Sequence, residues 1–108
     1  MRGLSWTKTG TLAAAGNSVL LAADANGTHY ITHIVISISV HAASSVVSLD
    51  DATTTYLAWS TTTSNGNHIE VTFSPEQAMS WATNKGIRLV MAGGNSTVHV
   101  IVQGFTKH

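Results

Sequence analysis

Apolar and polar residues alternate at every second position through almost the whole chain. The stretch 68–73 is the clearest case, because Ile69, Val71 and Phe73 are predicted to point inward while Glu70 and Thr72 point outward. Successive side chains of a strand point to opposite faces, so this period predicts half-buried β-strands rather than amphipathic helices.

Turn residues divide the chain into about eight short strands. The predicted strands span 18–22, 29–42, 45–49, 54–60, 68–73, 86–92 and 97–105, with one more near 6–12. Asn26-Gly27 predicts a hairpin between the strands on either side of it, and residues 74–79 are predicted to form a single helical turn. The pattern indicates an all-β fold: a single antiparallel β-sandwich, jelly-roll-like, spanning 1–108 as one domain, with 1–5 as a flexible arm.

The even positions of the longest predicted strand, from Tyr30 to Val40, form its core face. The predicted core comprises Leu20, Ile34, Ile36, Ile38, Val47, Leu49, Ile69, Val71, Phe73, Leu89, Val98, Val100 and Val102.

The composition is short of charge, with 9% charged residues, 44% hydrophobic residues and a formal net charge of zero. Serine, threonine and asparagine supply the polar surface instead, and uncharged groups lose less than ions when a partner covers them. Low net charge also favours association. The sequence has no basic run that would bind nucleic acid, no convincing signal peptide and no apolar run long enough to span a membrane.

Two predicted strands carry apolar residues on both faces. The core-facing positions leave Ile31 and Val35 on the second face of one strand, and Ile101 and Phe105 on the second face of the last. Either another subunit or loops of the same chain would cover these residues, and the pattern does not choose between the two. We expect Trp59 to lie in the core, whereas Trp6 and Trp81 are candidates for an interface or a ligand site. The candidate interface residues are therefore Trp6, Ile31, Val35, Trp81, Ile101 and Phe105.

No residue pattern predicts catalysis, a cofactor or a metal. His29 and His33 are predicted on one face of a strand, where about 13 Å separates them, too far to share an ion. The chain has no Gly-x-Ser-x-Gly elbow and no cysteine. Asp50-Asp51 is predicted to form a turn with both side chains in water. We therefore expect a protein that is not an enzyme.

Several segments together resemble small jelly-roll proteins of tailed-bacteriophage virions, over about residues 17–106. They are Ile34-x-Ile36-x-Ile38, Val46-Val47-x-Leu49-Asp50-Asp51, Phe73-Ser74-Pro75, Gly86-Ile87-Arg88-Leu89, Gly93-Gly94 and 98–105. The resemblance implies a homotrimer located in the virion and made in the host cytoplasm, whose partners are its own copies and the major capsid protein or another virion protein. It implies a capsid decoration (cement) protein, or alternatively the receptor- or glycan-binding tip of a tail fibre or spike. The chain has no long repetitive shaft, which favours decoration.

Overall fold

The computed structural model describes residues 4–40, 46–60, 67–92 and 96–108. These residues form nine strands and one 3₁₀ turn (Pro75–Gln77). The strands are β1 (Leu4–Leu12), β2 (Gly16–Leu21), β3 (Thr28–Val40), β4 (Val46–Asp50), β5 (Thr55–Ser60), β6 (Asn67–Thr72), β7 (Met79–Ser80), β8 (Ile87–Ala92) and β9 (Thr97–Lys107).

The strands pair into two antiparallel sheets. The first has the order β1-β9-β3-β6, with the short β7 also paired to β3, and the second has the order β2-β8-β4-β5. The apolar inner faces of the two sheets pack together, which is the jelly-roll arrangement of a β-sandwich. The predicted fold class is confirmed.

The chain crosses from one sheet to the other at most of its connections. The predicted hairpin at Asn26-Gly27 is therefore wrong, because β2 and β3 lie in different sheets. The turn itself is present, with the Gly27 N–H donating to the Asp24 carbonyl at 3.0 Å. An Asn-Gly pair requires a sharp turn but does not require the flanking strands to pair. The second Asn-Gly, at 65–66, and the predicted turn at 93–95 lie outside the described residues.

Ten of the thirteen predicted core residues are buried, and the last strand follows the prediction at every position, with Val98, Val100 and Val102 inside. The other three, Ile69, Val71 and Phe73, are half-buried, because β6 lies at the edge of its sheet and Phe73 directly follows this edge strand. The prediction omitted four buried residues, which are Ile31, Trp81, Ile87 and Met91. Trp59 is half-buried and packs against the core, as expected.

A β-bulge in β3 changes which face its residues occupy. Ile31 pairs with Gly104 and His33 pairs with Gln103, so Thr32 is the extra residue. Before the bulge the odd positions point inward, and after it the even positions do. The prediction that the even positions form the core face throughout is wrong for the first part of the strand, where Tyr30 points outward.

Two smaller expectations also change. Residues 4 and 5, expected in a flexible arm, begin β1 and pair with Thr106 and Phe105, while 1–3 lie outside the described residues. The predicted helical turn is a 3₁₀ turn that ends at Gln77, and Met79 belongs to β7.

Candidate subunit interface

The four long strands of the first sheet present one continuous surface away from the second sheet. We call this surface the outer face. Paired positions on neighbouring strands point the same way, so the register arranges its side chains in rows across the sheet. The rows are Thr11, His99, Ser37, His68; then Thr9, Ile101, Val35, Glu70; then Thr7, Gln103, His33, Thr72; then Ser5, Phe105, Tyr30.

Apolar side chains lie in the middle of the outer face. Ile101 is 43% exposed, although it belongs to a central strand, and Val35 beside it is half-buried. Thr9 and Glu70 complete their row, and the adjacent rows carry polar side chains. An isoleucine left exposed at the centre of a sheet face that is poor in charge is a feature of surfaces that bind a partner.

An aromatic stack ends the apolar part of the outer face. The rings of Tyr30 and Phe105 are stacked with centroids 5.0 Å apart and 11° between their planes. The Lys107 ammonium lies 5.5 Å from the Tyr30 centroid and 5.8 Å from that of Phe105, a cation–π contact. The predicted interface residue Phe105 is therefore half-covered by residues of its own chain.

Two other predicted interface residues are buried within the chain. Ile31 is fully buried, because the bulge turns it inward, so the expectation that it lacks a partner within its own chain is wrong. Trp81 is 1% exposed, and its indole stacks on the Tyr56 ring with 4.0 Å between the ring centroids. For these two residues the same chain provides the cover, whereas Val35 and Ile101 remain on the outer face.

Trp6 is half-buried on the other side of the first sheet, beside a cleft at the open edge between β1 and β2. The Trp6 indole N–H donates to Thr106 Oγ1 at 2.9 Å, and its ring meets that of His29 edge-on. The cleft has a volume of about 550 Å³ and is lined also by Asp24 and His108. Its concave shape makes it a candidate small-molecule site.

His29 is buried at the base of this cleft, 2% exposed, and both of its ring nitrogens have partners. Nε2 lies 3.0 Å from the Ala22 carbonyl oxygen, which can only accept, so Nε2 carries the proton. Nδ1 then accepts from the Thr106 hydroxyl at 2.7 Å, and that hydroxyl accepts from Trp6. The bulge also places His29 and His33 on opposite faces, so the prediction that they share a face is wrong.

The rim of the cleft carries one contact between a carboxylate and an imidazole. Asp24 Oδ2 lies 2.7 Å from His108 Nε2, and Asp24 Oδ1 accepts from the Asn26 N–H at 3.1 Å. The hydrogen bond from His108, with the Asn26 N–H, lowers the pKa of Asp24. The polar groups of the cleft therefore mostly bind one another, and few of them are directed at a ligand.

The carboxylate pair Asp50-Asp51, at the carboxyl-terminal end of β4, has a structural role. Asp50 and Asp51 form the predicted turn, but both are buried rather than in water. The Arg88 guanidinium donates to both Asp50 oxygens, at 2.8 and 3.1 Å, and lowers the pKa of that carboxyl. Burial alone would raise the pKa of Asp51, but the N–H groups of Thr54 and Thr53 and a further hydrogen bond outweigh it and lower that pKa. Both carboxylates thus stay ionised and hold a turn.

Among residues 4–40, 46–60, 67–92 and 96–108, no three histidine, aspartate or glutamate side chains are grouped so as to hold a metal ion. Within the same ranges there is no helix of the length and hydrophobicity needed to cross a bilayer.

The two sheets and the outer face define a jelly-roll β-sandwich. No protein-family model and no curated protein matches the sequence. Among solved structures, the chain is similar to a chain in the capsid asymmetric unit of cyanophage Pam1, with 15% identity and a TM-score of 0.54. That match covers 97% of this chain and 86% of the other, so the likeness of fold extends over nearly all of this chain.

Two further structures match less closely. The nucleoplasmin-like N-terminal domain of Drosophila FKBP39 has 9% identity and a TM-score of 0.49, covering 96% of this chain and 90% of that one. A chain of the virus-like particle of Macrobrachium rosenbergii extra small virus has 12% identity and a TM-score of 0.39, covering 94% and 79%. At these identities the likenesses concern the fold alone.

Proposed function

We propose that this chain is a non-enzymatic structural protein of a bacteriophage virion, a capsid decoration protein that assembles as a homotrimer and binds the capsid shell. The observation that carries the proposal is the outer face, a sheet surface poor in charge with Ile101 exposed at its centre. The architecture shared with a chain of the cyanophage Pam1 capsid supports the choice of a virion among possible assemblies.

The chemistry of the outer face suits burial against protein. Its hydroxyl and amide groups can be desolvated at low cost when they pair across an interface, whereas ions cannot. The one carboxylate in its rows, that of Glu70, already pairs with His33 at 2.7 Å. Val35 and Ile101 supply the apolar centre that such an interface requires.

The mass in solution tests the assembly. We expect about 34 kDa by light scattering at micromolar concentration, since three chains of 11.3 kDa associate. Ile101→Glu should reduce the mass to that of one chain without unfolding the protein, because the new carboxylate would be buried unpaired at the interface. Val19→Glu is the matched control: Val19 is an exposed apolar strand residue too, but it lies on the second sheet.

A monomeric wild type would refute assembly through the outer face, and a dimer would refute the trimer alone. If Val19→Glu dissociates the protein and Ile101→Glu does not, the interface lies on the second sheet. The capsid role has its own test, in which virions with and without this protein are heated and genome release is measured. Equal stability of the two would refute decoration.

The second candidate is the receptor- or glycan-binding tip of a tail fibre or spike. The cleft beside Trp6 favours it, because an aromatic ring next to carboxylate and imidazole groups suits a sugar. It ranks second because Asp24, His29 and the Trp6 indole N–H already have partners within the chain. Quenching of tryptophan fluorescence by a glycan, lost in Trp6→Phe, would support it, and no binding across a broad glycan array would exclude it.

A further inference from the structure

Strand β1 has a free edge along its whole length. It lies at the end of the first sheet, where it pairs with β9 from Leu4 to Leu12 without a bulge, and no described strand pairs with its other side. Every second residue of an antiparallel edge strand directs its backbone N–H and C=O away from the sheet. These unpaired groups can form hydrogen bonds with an added strand.

The edge strands β2, β5 and β6 are less suited to receive another strand. Each of them has six residues, against nine in β1. A register shift also interrupts the pairing of β2 with β8 and that of β5 with β4. Natural proteins shorten, bulge or charge their edge strands, because a long regular edge recruits another chain. The edge of β1 is long, regular and free of proline.

Lys8 is the one charged residue of β1, and its half-buried side chain lines the cleft between β1 and β2. It points to this side because it pairs with Val102, whose side chain lies in the core. None of the ion pairs in the described part of the chain includes Lys8, and Asp24, the carboxylate of the cleft, contacts His108 instead. The middle of the free edge therefore carries a positive charge without a carboxylate partner.

The cleft has room for side chains of an added strand. Successive side chains of such a strand would point alternately into the cleft and toward the outer face. The cleft holds about 550 Å³ beside Trp6 and Lys8. Farther along β1 the two sheets close up, because Leu20 packs so near Gly10 that a Cβ atom at this glycine would overlap it. Larger side chains of an added strand therefore fit only near the first half of β1.

We propose that β1 binds an extended acidic segment of another protein, which adds to the first sheet as a strand and places a carboxylate against Lys8 in the cleft. A second copy of β1 is a poor occupant. Lys8 is the middle residue of Leu4–Leu12, so two copies paired antiparallel along their whole length would bring their lysines directly opposite each other, which is destabilising. The inference goes beyond the proposed function, because the edge of the sheet and its outer face are different surfaces.

Two synthetic nine-residue peptides that alternate valine and threonine, with either glutamate or lysine at the centre, test the proposal. Each is made with N-methyl groups on every second residue, in both phases, so that only one edge of the peptide can pair and the peptides do not aggregate. Binding is followed by the NMR shifts and hydrogen exchange of the β1 amides.

The wild type should bind the glutamate peptide roughly 3- to 30-fold more tightly than the lysine peptide, and in one methylation phase only. Lys8→Glu should reverse this preference, and Lys8→Gln should bind the two peptides alike. Lys107→Glu is the matched control, because it changes the net charge equally at the end of β9 on the outer face, and it should keep the wild-type preference.

The proposal is overturned if the glutamate peptide at millimolar concentration leaves the β1 amides unchanged, or if both methylation phases bind equally. It is also overturned if the Lys8 variants keep the wild-type preference. Slow exchange of all β1 amides without peptide, in a protein with the mass of a dimer, would show that a second copy occupies the edge and would overturn it too. The trimer of the proposed function is tested by mass alone, so either inference can fail without the other.

Discussion

Gly104 lies where β9 comes close to the backbone of β3. It lies opposite Ile31 at the bulge, and a Cβ atom built on it would overlap the Tyr30 carbonyl oxygen and come within 2.9 Å of the Trp6 ring. The Trp6 ring can rotate, but the carbonyl oxygen belongs to the backbone of the neighbouring strand. Gly104→Ala therefore forces β3 and β9 apart at the bulge, where the side chains of β3 change face.

We expect Gly104→Ala to lower the free energy of unfolding by about 2–3 kcal/mol, the upper part of the range for overpacking, because no side-chain rotation relieves the overlap. This corresponds to a fall in Tm of roughly 8–12 °C for a domain of this size. Urea denaturation followed by tryptophan fluorescence measures the change, and the exposed neighbour Gln103→Ala should change stability by less than about 0.5 kcal/mol. A loss below about 0.5 kcal/mol for Gly104→Ala would refute the close approach.

Three further changes test the fold by the same denaturation measurement. Ile36→Ala should cost about 2–5 kcal/mol, because Ile36 is 1% exposed in the core, and a loss below about 0.5 kcal/mol would place it at the surface. Asp50→Asn should cost about 1–3 kcal/mol at pH 7 through the weakened bond to Arg88. Because the pKa of Asp50 is lowered in the folded protein, the wild type should keep this stabilisation above about pH 4 and lose it as the pH falls further. The Asp50→Asn variant should lack this stabilisation at every pH. If the stability of the two proteins changes with pH in parallel, this reasoning is wrong. Thr106→Val should cost about 2–4 kcal/mol, because it removes the partner of Nδ1 of the buried His29 and the acceptor of the Trp6 indole N–H, whereas the exposed Thr7→Val should cost far less.

The fold class and most of the core are predictable from the sequence because they depend on local alternation. In β9 the alternation is unbroken, so Val98, Val100 and Val102 all point into the core, as the two-residue period predicts. The same rule fails in β3, since nothing in the alternation between Tyr30 and Ile34 marks Thr32 as an extra residue. One inserted residue exchanges the two faces, which is why Ile31 was expected at an interface and lies in the core.

The cleft and the outer face depend on contacts that the sequence does not display. His29 and Thr106 are 77 positions apart and meet because β3 pairs with β9. Trp81 is buried because the segment before β8 folds back onto β3, where the Trp81 N–H donates to the His29 carbonyl. The turn-rich sequence of this segment does not reveal that contact. The sequence by itself determined that strands form and which sheet surfaces are poor in charge. The tertiary structure decided which strands pair, where the bulge changes the phase and which apolar residues remain exposed, because pairing is a property of two distant segments and alternation is a property of one.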